Sequence, residues 1–513
     1  MSEVARGVER RADERPSPTG IRVFGVAGAL GLLVAGSILA AQALPFQDFM
    51  AHCAATEVAR GSTSLGAAPE REDAVAPRVL PASGGAAVYE RSPGLAHSAG
   101  YYALAALFPD SEAGNRLLLA LAIGLFPLGV VAYARALGAR GWVALGVAAG
   151  GALSMPVAMG FVPYLLATTL AFLAAAVFLR WRSGPLAPVV AVLVSLALHG
   201  VHAFGALWWL ALLGATVRDW RSALTLAAGA LPSLLLGGGL SGFELGQPLE
   251  RVAELPSLLG LVTTDGLDDA LAIGVLGALL LSVRLRFDAL GVVGVAAVLA
   301  CLLGPDTVDS PRIVRFATRF WTPALVLLAL SERARASRWL EGGAVLLGGA
   351  LAAVSVAAVV VGGEAQAVRL DAIVTARQAL PPEPGGTGES ASARRFGLLT
   401  LSRPEPGTLT TAYAGLHAPR VLEARGLGVV VGPFLHRHSP VRLRPDLEEV
   451  VALAGRDTLA YVRGLAPEVA AFVGDFGDEA PILAQLEALG FRDCGAFPST
   501  EPRWRLWARS CAR

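Results

Sequence analysis

The segment PFQDFMAH places a carboxylate and an imidazole four residues apart, directly after the first apolar stretch of the chain. If residues 46–60 form a helix, Asp48 and His52 lie one turn apart on the same face. A carboxylate at a membrane surface can remove the proton of a hydroxyl acceptor, and an imidazole is a second acid–base group near neutral pH. Asp48 and His52 are therefore the candidate catalytic residues.

A second group of charged residues follows near the end of the apolar region, in the run RIVRFATRF. Arg312, Arg315 and Arg319 have helical spacing, which predicts one cationic stripe at the membrane surface. Guanidinium groups bind phosphate through paired hydrogen bonds, so the stripe suits the phosphate of a membrane lipid. A base and a phosphate site on one side of the membrane together predict group transfer from a lipid phosphate to an acceptor.

Each of these residues also has a structural interpretation. Asp48 is a favoured type of helix N-cap, His52 could be an ordinary interfacial side chain, and the arginines could bind lipid headgroups only. The secondary candidates are Glu57, His97, His199 and His202. The last two could simply bond each other or a backbone carbonyl. Asp48 and His52 could also bridge a divalent metal ion, but with only two ligands in view the metal stays unknown.

The composition identifies the elements that must hold these groups. Of 513 residues, 54% are hydrophobic and only 16% are charged, whereas about a quarter are charged in a soluble domain. The apolar residues form segments of membrane-spanning length, which predicts an all-α polytopic membrane protein. A net charge of +1 gives no reason to expect nucleic-acid binding. All basic residues are arginine, which with abundant Ala, Gly and Pro is typical of a GC-rich bacterial genome.

About eleven transmembrane helices are expected within residues 21–363, after a polar leader at 1–20. A cleaved signal peptide ending near Ala41-Gln42-Ala43 is the alternative for the first segment, but its length favours an uncleaved helix. The outer loop at 45–114 is far longer than a connector needs. The predicted spans are 23–44, 115–137, 142–159, 161–181, 186–199, 203–217, 223–240, 269–283, 287–303, 320–330 and 339–361.

Arginines in the short loops predict the orientation, because cytoplasmic loops are enriched in basic residues. With the N-terminus in the cytoplasm, five arginine-bearing loops face inward and the acidic loop 241–268 faces outward. Residues 186–217 fit this alternation only as two short helices with a turn at 199–202. An odd number of spans leaves the C-terminal part outside the cytoplasm, so the expected location is the bacterial inner membrane.

The C-terminal part is less apolar. A Pro/Gly-rich linker at 364–395 leads into an expected extracytoplasmic α/β domain at 396–513, where strand-like and helix-like runs alternate. The strand-like runs are 396–401, 428–431, 458–462 and 503–508, and the helix-like runs are 447–454 and 480–489. The four cysteines have no CxxC spacing, which argues against a zinc or iron–sulfur site. A Cys494–Cys511 disulfide and two free thiols are both compatible with the sequence.

The chain resembles the GT-C superfamily of integral-membrane glycosyltransferases over essentially its whole length. The resembling features are the acid in PFQDFMAH, the enlarged first outer loop, many short spans, the run RIVRFATRFWTPALVLLAL and the outward C-terminal domain. PFQDFMAH is similar to the Asp-x-x-x-His version found in poorly characterised bacterial members. The resemblance implies a GT-C-like fold and a sugar donor carried on a polyprenyl phosphate. It also implies inverting transfer with Asp48 as base and phosphate binding by the late arginines. Many members place two acids together, whereas Phe49 follows Asp48 here.

Other classes of membrane protein fit less well. A transporter or flippase would prefer charged groups near mid-membrane and paired halves, whereas the predicted spans contain almost no acids. An O-antigen-ligase-like or polymerase-like protein also uses polyprenyl diphosphate donors, but it would place its essential histidine in a late loop. A non-catalytic subunit of cell-envelope glycan assembly is the remaining alternative. The acceptor is expected to be a glycan, a lipid or a protein.

Overall fold

A computed structural model of the protein describes most of the apolar region and parts of the C-terminal region. The described residues are 18–46, 48–61, 89–91, 98–182, 184–217, 219–236, 241–260, 266–282, 288–310, 312–331, 337–379, 395–399, 420–425, 429–431, 441–443, 458–464, 470–475, 480–496 and 503–509. Within them, packed helices are followed by a small mixed sheet.

Helices form the apolar region because a chain in lipid must satisfy its backbone N–H and C=O groups internally. Each of the eleven apolar segments expected from the sequence contains a helix. In chain order the described helices are α1 (Pro18–Ala40), α2 (Phe49–Gly61), α3 (Ala99–Ala105), α4 (Ser111–Ala136), α5 (Trp142–Gly150), α6 (Met155–Ala158), α7 (Val162–Phe178), α8 (Ala187–Val201), α9 (Ala203–Gly214), α10 (Trp220–Leu236), α11 (Pro248–Glu254), α12 (Leu267–Ser282), α13 (Ala289–Leu303), α14 (Trp321–Leu330), α15 (Arg338–Ala379), α16 (Val421–Ala424), α17 (Thr458–Gly464) and α18 (Ala480–Ala488). Among these, α1, α4 and α15 are long and apolar enough to cross a membrane.

Apolar side chains lie on the outside of the helical region. Leu32, Leu234, Leu280 and Leu346 are each 76% exposed, although they belong to four different apolar helices. Apolar surface distributed in this way belongs against lipid rather than water. The chain is therefore a membrane protein.

Residues 186–217 form two short helices, α8 and α9, as predicted, but residues 199–201 of the predicted turn belong to α8 and the break is at His202. Between the two helices His202 has an extended backbone, with φ −170° and ψ 135°, which interrupts the helical hydrogen bonding. The two helices pack against each other. The break places the backbone around His202 at a helix end rather than inside a continuous span.

Glycines allow close contact between helices. A Cβ on Gly146 of α5 would collide with the carbonyl group of Ala344 in α15, and a Cβ on Gly348 would collide with the carbonyl group of Gly146. Small residues at such contacts let two backbones approach closely, which favours packing in lipid. The contact fixes α15 along the side of α5.

The described strands form three sheets. The strands are β1 (Tyr89–Arg91), β2 (Ser241–Leu245), β3 (Pro305–Ser310), β4 (Arg312–Val314), β5 (Arg395–Leu399), β6 (Val429–Val431), β7 (Val441–Leu443), β8 (Ala470–Asp475), β9 (Arg492–Ala496) and β10 (Arg503–Ala508). An antiparallel sheet has the order β2-β3-β4, and β1 pairs with β7. The largest sheet has the order β6-β5-β8-β10-β9, in which β5 is parallel to both neighbours and β10 is antiparallel to both of its own.

The C-terminal elements agree with the sequence prediction in part. The run 480–489, expected to be helical, contains α18, and 503–508 is the strand β10. The prediction of a strand at 458–462 is wrong, because these residues lie in the helix α17. Residues 447–454 lie outside the described part of the chain. Helix α15 continues to Ala379, so the first part of the segment expected as linker (364–395) is helical.

Two of the four cysteines are free thiols, Cys53 and Cys301, and both are buried. Cys494 is disulfide-bonded. Position 511, its expected partner, lies outside the described residues. The sequence left open whether Cys494 forms a disulfide or is a free thiol. A disulfide at this position is typical of an oxidising compartment.

The C-terminal region packs on the helix that follows Asp48. Helix α16 contacts α2, and its residues Val421 and Leu422 are fully buried in the same core as Phe46 and Phe49. Further along α15, a Cβ on Gly363 would lie 2.5 Å from the carbonyl oxygen of Ala43, so this helix passes close to the end of α1. Helix α2 and helix α16 of the C-terminal region therefore lie together near the end of α1.

Candidate functional site

Asp48 immediately precedes α2 and is held there through its backbone. Its N–H donates to the carbonyl oxygen of Met159 at 3.2 Å, and its carbonyl oxygen accepts the N–H of His52 at 3.0 Å. Gly160 has a positive φ of 74°, and a Cβ there would lie 2.8 Å from the backbone nitrogen of Asp48. The link between α6 and α7 thus fixes the position from which the carboxylate projects.

The Asp48 side chain is partly buried. Its Oδ1 is closed off from solvent, while the residue as a whole keeps some exposure. Burial raises the pKa of the carboxyl from 3.8 to about 7, and the positive charges of Arg319 and Arg420 oppose this rise. The carboxyl is consequently close to half ionised at neutral pH, where a general base is most effective.

Arg319 brings a buried cation to Asp48 from the late apolar region. It lies in the 3₁₀ turn Ala317–Phe320 and is only 7% exposed. Its guanidinium carbon is 3.9 Å from the ring centroid of Phe161 and within 6 Å of the rings of Tyr164 and Phe204. The faces of these rings stabilise the cation in place of water.

A small cavity adjoins Arg319 among α4, α7 and α14. Polar side chains of Ser154, Tyr164, Thr168, Thr169, Arg319 and Thr322 contribute to its lining, and the other lining residues are apolar or glycine. About 20 Å³ of it is open to a water molecule, which is room for about one. The positive charge of Arg319 therefore opposes the rise in the pKa of Asp48, and the same side chain lines this cavity.

Arg420 brings a second buried cation from the C-terminal region. It directly precedes α16 and is among the largest side chains that are fully buried. Its charge acts on Asp48 in the same sense as that of Arg319. The site is thus assembled from three distant parts of the chain: the start of α2, the turn before α14 and the start of α16.

His52 belongs to a hydrogen-bond network on the side of Asp48 that faces α3. Its Nδ1 is 2.8 Å from the hydroxyl of Tyr102. The charge of Asp48 contributes, after burial, to raising the pKa of Tyr102, so the three groups are neighbours. Behind them, Asn115 accepts from the Tyr101 hydroxyl and donates to Thr56 at 3.0 Å. The network holds the imidazole beside the carboxylate.

The predicted helical stripe of Arg312, Arg315 and Arg319 is wrong. Arg312 is in the strand β4, Arg315 has a positive φ of 54°, and only Arg319 is in a helical turn. The cause is the pairing of β4 with β3, which extends the chain before Arg319. Arg315 forms an ion pair with Glu254 at 3.1 Å and approaches Asp306 at 4.0 Å.

The secondary candidates are dispersed. Glu57 pairs with Arg60 at 2.6 Å, and His97 lies outside the described residues. His199 is buried near the end of α8. The Nδ1 of His202 accepts the N–H of Phe204 at 3.2 Å, which caps α9, and its ring lies 6.1 Å from that of Tyr164. His202 is therefore in the aromatic surroundings of Arg319, while Glu57 belongs to a surface ion pair. Across the described ranges, no three His, Cys, Asp or Glu side chains form a metal-binding group.

Three residues of the site were missed by the sequence reasoning. Gly160 carries no pattern that marks it, since its importance comes from its contact with Asp48. Tyr102 had one signal, its place beside another tyrosine in the long first outer loop. Arg420 had none, because only the docking of α16 brings it to Asp48.

Comparisons with known proteins give one similarity. No protein-family model matches the chain, and no curated protein matches it either. Among solved structures, the chain is similar to the arabinofuranosyltransferase AftD from Mycobacteria, determined by single-particle cryo-EM. The sequence identity is 16% and the TM-score 0.49, over 96% of this chain and 40% of AftD. The chain spans less than half the length of AftD, and the functional proposal rests on the geometry of the site.

Proposed function

We propose that the protein is a membrane glycosyltransferase that moves a sugar from a polyprenyl-phosphate-linked donor to a hydroxyl acceptor. One observation carries the proposal: a carboxylate whose Oδ1 is buried, Asp48, and two buried arginines, Arg319 and Arg420, are brought together from distant parts of the chain. Burial raises the pKa of this carboxyl toward neutral pH, which suits a general base. A base that activates the acceptor and a cation that binds the donor phosphate are the two groups such a transfer requires.

In the proposed reaction, Asp48 accepts the proton of the acceptor hydroxyl as its oxygen attacks the anomeric carbon. A new carbon–oxygen bond forms, and the bond between the anomeric carbon and the phosphate oxygen breaks. The bonding electrons leave with the polyprenyl phosphate, and attack from the opposite face inverts the anomeric centre. Asp48 then releases its proton to solvent, which its partial exposure permits.

Arg319 is the proposed ligand of the donor phosphate. Its guanidinium lies among the rings of Phe161, Tyr164 and Phe204, and a cation there acts in surroundings of low dielectric, where charge attraction is strong. The polyprenyl chain requires apolar surface nearby. Leu39, which is 53% exposed in the last turn of α1, is proposed to provide part of this surface.

The proposal places the reaction outside the cytoplasm of a bacterium, in the inner membrane. It is supported by the distribution of arginines over the short loops, which predicts a cytoplasmic N-terminus. Helix α16 of the C-terminal region packs on α2, which Asp48 directly precedes, so acceptor binding is proposed for that region. The acceptor is then a glycan, lipid or protein of the cell envelope.

The experiment is a transfer assay with the purified chain in proteoliposomes. Farnesyl-phosphate pentoses and hexoses serve as donors and oligosaccharides as acceptors, with Mg²⁺ and Mn²⁺ present because a divalent ion remains a prediction. Asp48→Asn should lower kcat at least about 100-fold, the usual contribution of a general base. Full activity of Asp48→Asn would refute the proposal.

A matched pair of arginine variants tests donor binding. Arg319→Gln should raise KM for the donor, since it removes the proposed phosphate ligand. Arg315→Gln should leave KM within about twofold, because Arg315 pairs with Glu254 and is not among the charges that act on Asp48. Equal effects of both variants would contradict the assignment of Arg319. Tight retention of the farnesyl phosphate without any transfer would instead indicate a non-catalytic subunit.

A further inference from the structure

Arg420 is the only residue of the site that comes from beyond the helical region, among the residues that the structure describes. It is fully buried, although a guanidinium is costly to bury without an opposite charge or hydrogen bonds. Next to it, Val421 and Leu422 fill the core around Phe49. Arg420 therefore adds a buried positive charge to a contact that apolar side chains also make.

The docking of α16 has a second, ionic component at its other end. Arg425 lies 3.7 Å from Asp371 of α15 and 4.0 Å from Glu112 of α4. Arg425 is exposed, so these pairs contribute little to stability. The two arginines flanking α16 thus differ in kind: Arg425 is at the surface and Arg420 is buried toward Asp48.

We propose that Arg420, buried at the start of α16 where this helix packs on α2, is a positioning residue through which the docked C-terminal region places a positive charge near the Asp48 carboxylate. The consequence for catalysis rests on the proposed function, whereas the electrostatic coupling does not. Among the described residues, the charged and titratable groups around the carboxylate are Arg319, Arg420, Tyr102 and His52. Of these four, Arg420 is the one that comes from the C-terminal region, so the packing of α16 on α2 brings its charge to the site.

The first test is the pH profile of transfer in Arg420→Gln. Loss of a neighbouring positive charge should move the acidic limb of kcat/KM upward by about one pH unit or more. Arg420→Lys keeps the charge and should restore most of the wild-type profile. Arg425→Gln is the matched control, because it removes a guanidinium from the other end of α16 and should leave the profile unmoved. A changed donor KM with an unmoved profile in Arg420→Gln would overturn the proposal.

The second test does not depend on transferase activity. Thermal unfolding is followed by tryptophan fluorescence between pH 5 and 9 for the wild type and for Asp48→Asn. The pH at which their Tm difference becomes constant reports the ionisation of Asp48 in the folded protein. The same comparison is then made in the Arg420→Gln background, where that pH should be higher by about one unit or more.

The two tests separate the inference from the proposed function. A shifted unfolding profile in a protein with no transfer would support the coupling and overturn the glycosyltransferase. Normal transfer with an unshifted unfolding profile would support the glycosyltransferase and overturn the coupling. Should Arg420→Gln fail to fold, Leu422→Ala is the substitute, because it loosens the docking of α16 without altering a charge. Leu422→Ala should move both the acidic limb of kcat/KM and the unfolding profile to higher pH, as is expected of Arg420→Gln.

Discussion

The imidazole Nδ1 of His52 lies 2.8 Å from the hydroxyl oxygen of Tyr102, across the long first loop. The contact joins the helix that follows Asp48 to α3, and it orients a titratable ring next to the carboxylate. This contact restricts the direction of the imidazole ring. The ring can therefore orient an acceptor hydroxyl or receive a proton from it.

Removal of the Tyr102 hydroxyl tests this role. Tyr102→Phe leaves the imidazole without this partner, and losing a buried hydrogen bond costs about 1–3 kcal/mol. If the bond orients the catalytic pair, transfer should fall about tenfold or more, since each 1.4 kcal/mol corresponds to about a factor of ten in rate. The measurement is kcat in proteoliposomes.

The control is Tyr133→Phe, which removes another buried hydroxyl. This hydroxyl donates to the carbonyl oxygen of Leu212 at 3.0 Å, away from Asp48. Tyr133→Phe should lower Tm by a comparable amount and keep kcat. A purely structural role for Tyr102 would make the two variants indistinguishable.

The second prediction concerns pH. Because burial raises the pKa of the Asp48 carboxyl to about 7, kcat/KM should rise about tenfold per pH unit below that value and become constant above it. Asp48→Glu should show residual activity with a different acidic limb, whereas Asp48→Asn should show no limb at all. An activity that stays constant from pH 5 to 8 would exclude Asp48 as the base.

The same pKa has a defined sign for stability. The unfolded carboxyl ionises near 3.8 and the folded one near 7, so between these values the unfolded state loses its proton first. The free energy of unfolding therefore falls as pH rises through this window, by up to roughly 4 kcal/mol. Relative to the wild type, Asp48→Asn should gain stability from pH 4 to 7 and gain no more above it.

The third prediction concerns Gly160, whose positive φ and contact with the Asp48 backbone both exclude a side chain. Gly160→Ala should displace Asp48 and lower transfer strongly, because a shift of about 1 Å in a catalytic group can cost about 100-fold in rate. Gly266→Ala is the matched control: Gly266 also has a positive φ, 68°, but nothing lies within 4 Å of its Cβ position.

Both glycine variants introduce similar backbone strain of about 1 kcal/mol. Both should therefore lower Tm slightly, and only Gly160→Ala should lower the transfer rate. If Gly266→Ala loses as much activity, the effect is a general loss of stability. If neither variant loses activity, the contact at Gly160 does not set the position of the carboxylate.

Local patterns predicted the helical part of the fold. Each apolar segment contains a helix because lipid leaves the backbone no other partner than itself. The break near His202 followed from length and loop charge together. Residues 186–217 are too long for one upright span and short for two, and the alternation of arginine-bearing loops required two. These are properties of neighbouring residues, which a sequence shows directly.

Contacts between distant residues were not predictable in the same way. Arg312, Arg315 and Arg319 have the spacing of one helix face. In the structure, however, Val308 of β3 pairs with Ile313 of β4, and this pairing extends the chain. Similarly, the β-branched and aromatic residues of 458–462 favour a strand, yet Tyr461 and Val462 are buried on a helix. Burial against a partner outweighs the weak intrinsic preference. Arg420 is the corresponding case in the site, because a contact between distant residues, the packing of α16 on α2, brings it near Asp48.

Helix α15 has 42 residues, about 63 Å at 1.5 Å per residue, which is roughly twice the thickness of the hydrocarbon core. One stripe of its upper half, formed by Gln366, Leu370 and Ile373, is buried. A single residue inserted below this stripe would rotate everything above it by about 100° and lift it by about 1.5 Å. The length and rotation of α15 thus determine whether Arg420 lies near the carboxylate of Asp48, 372 positions earlier in the sequence.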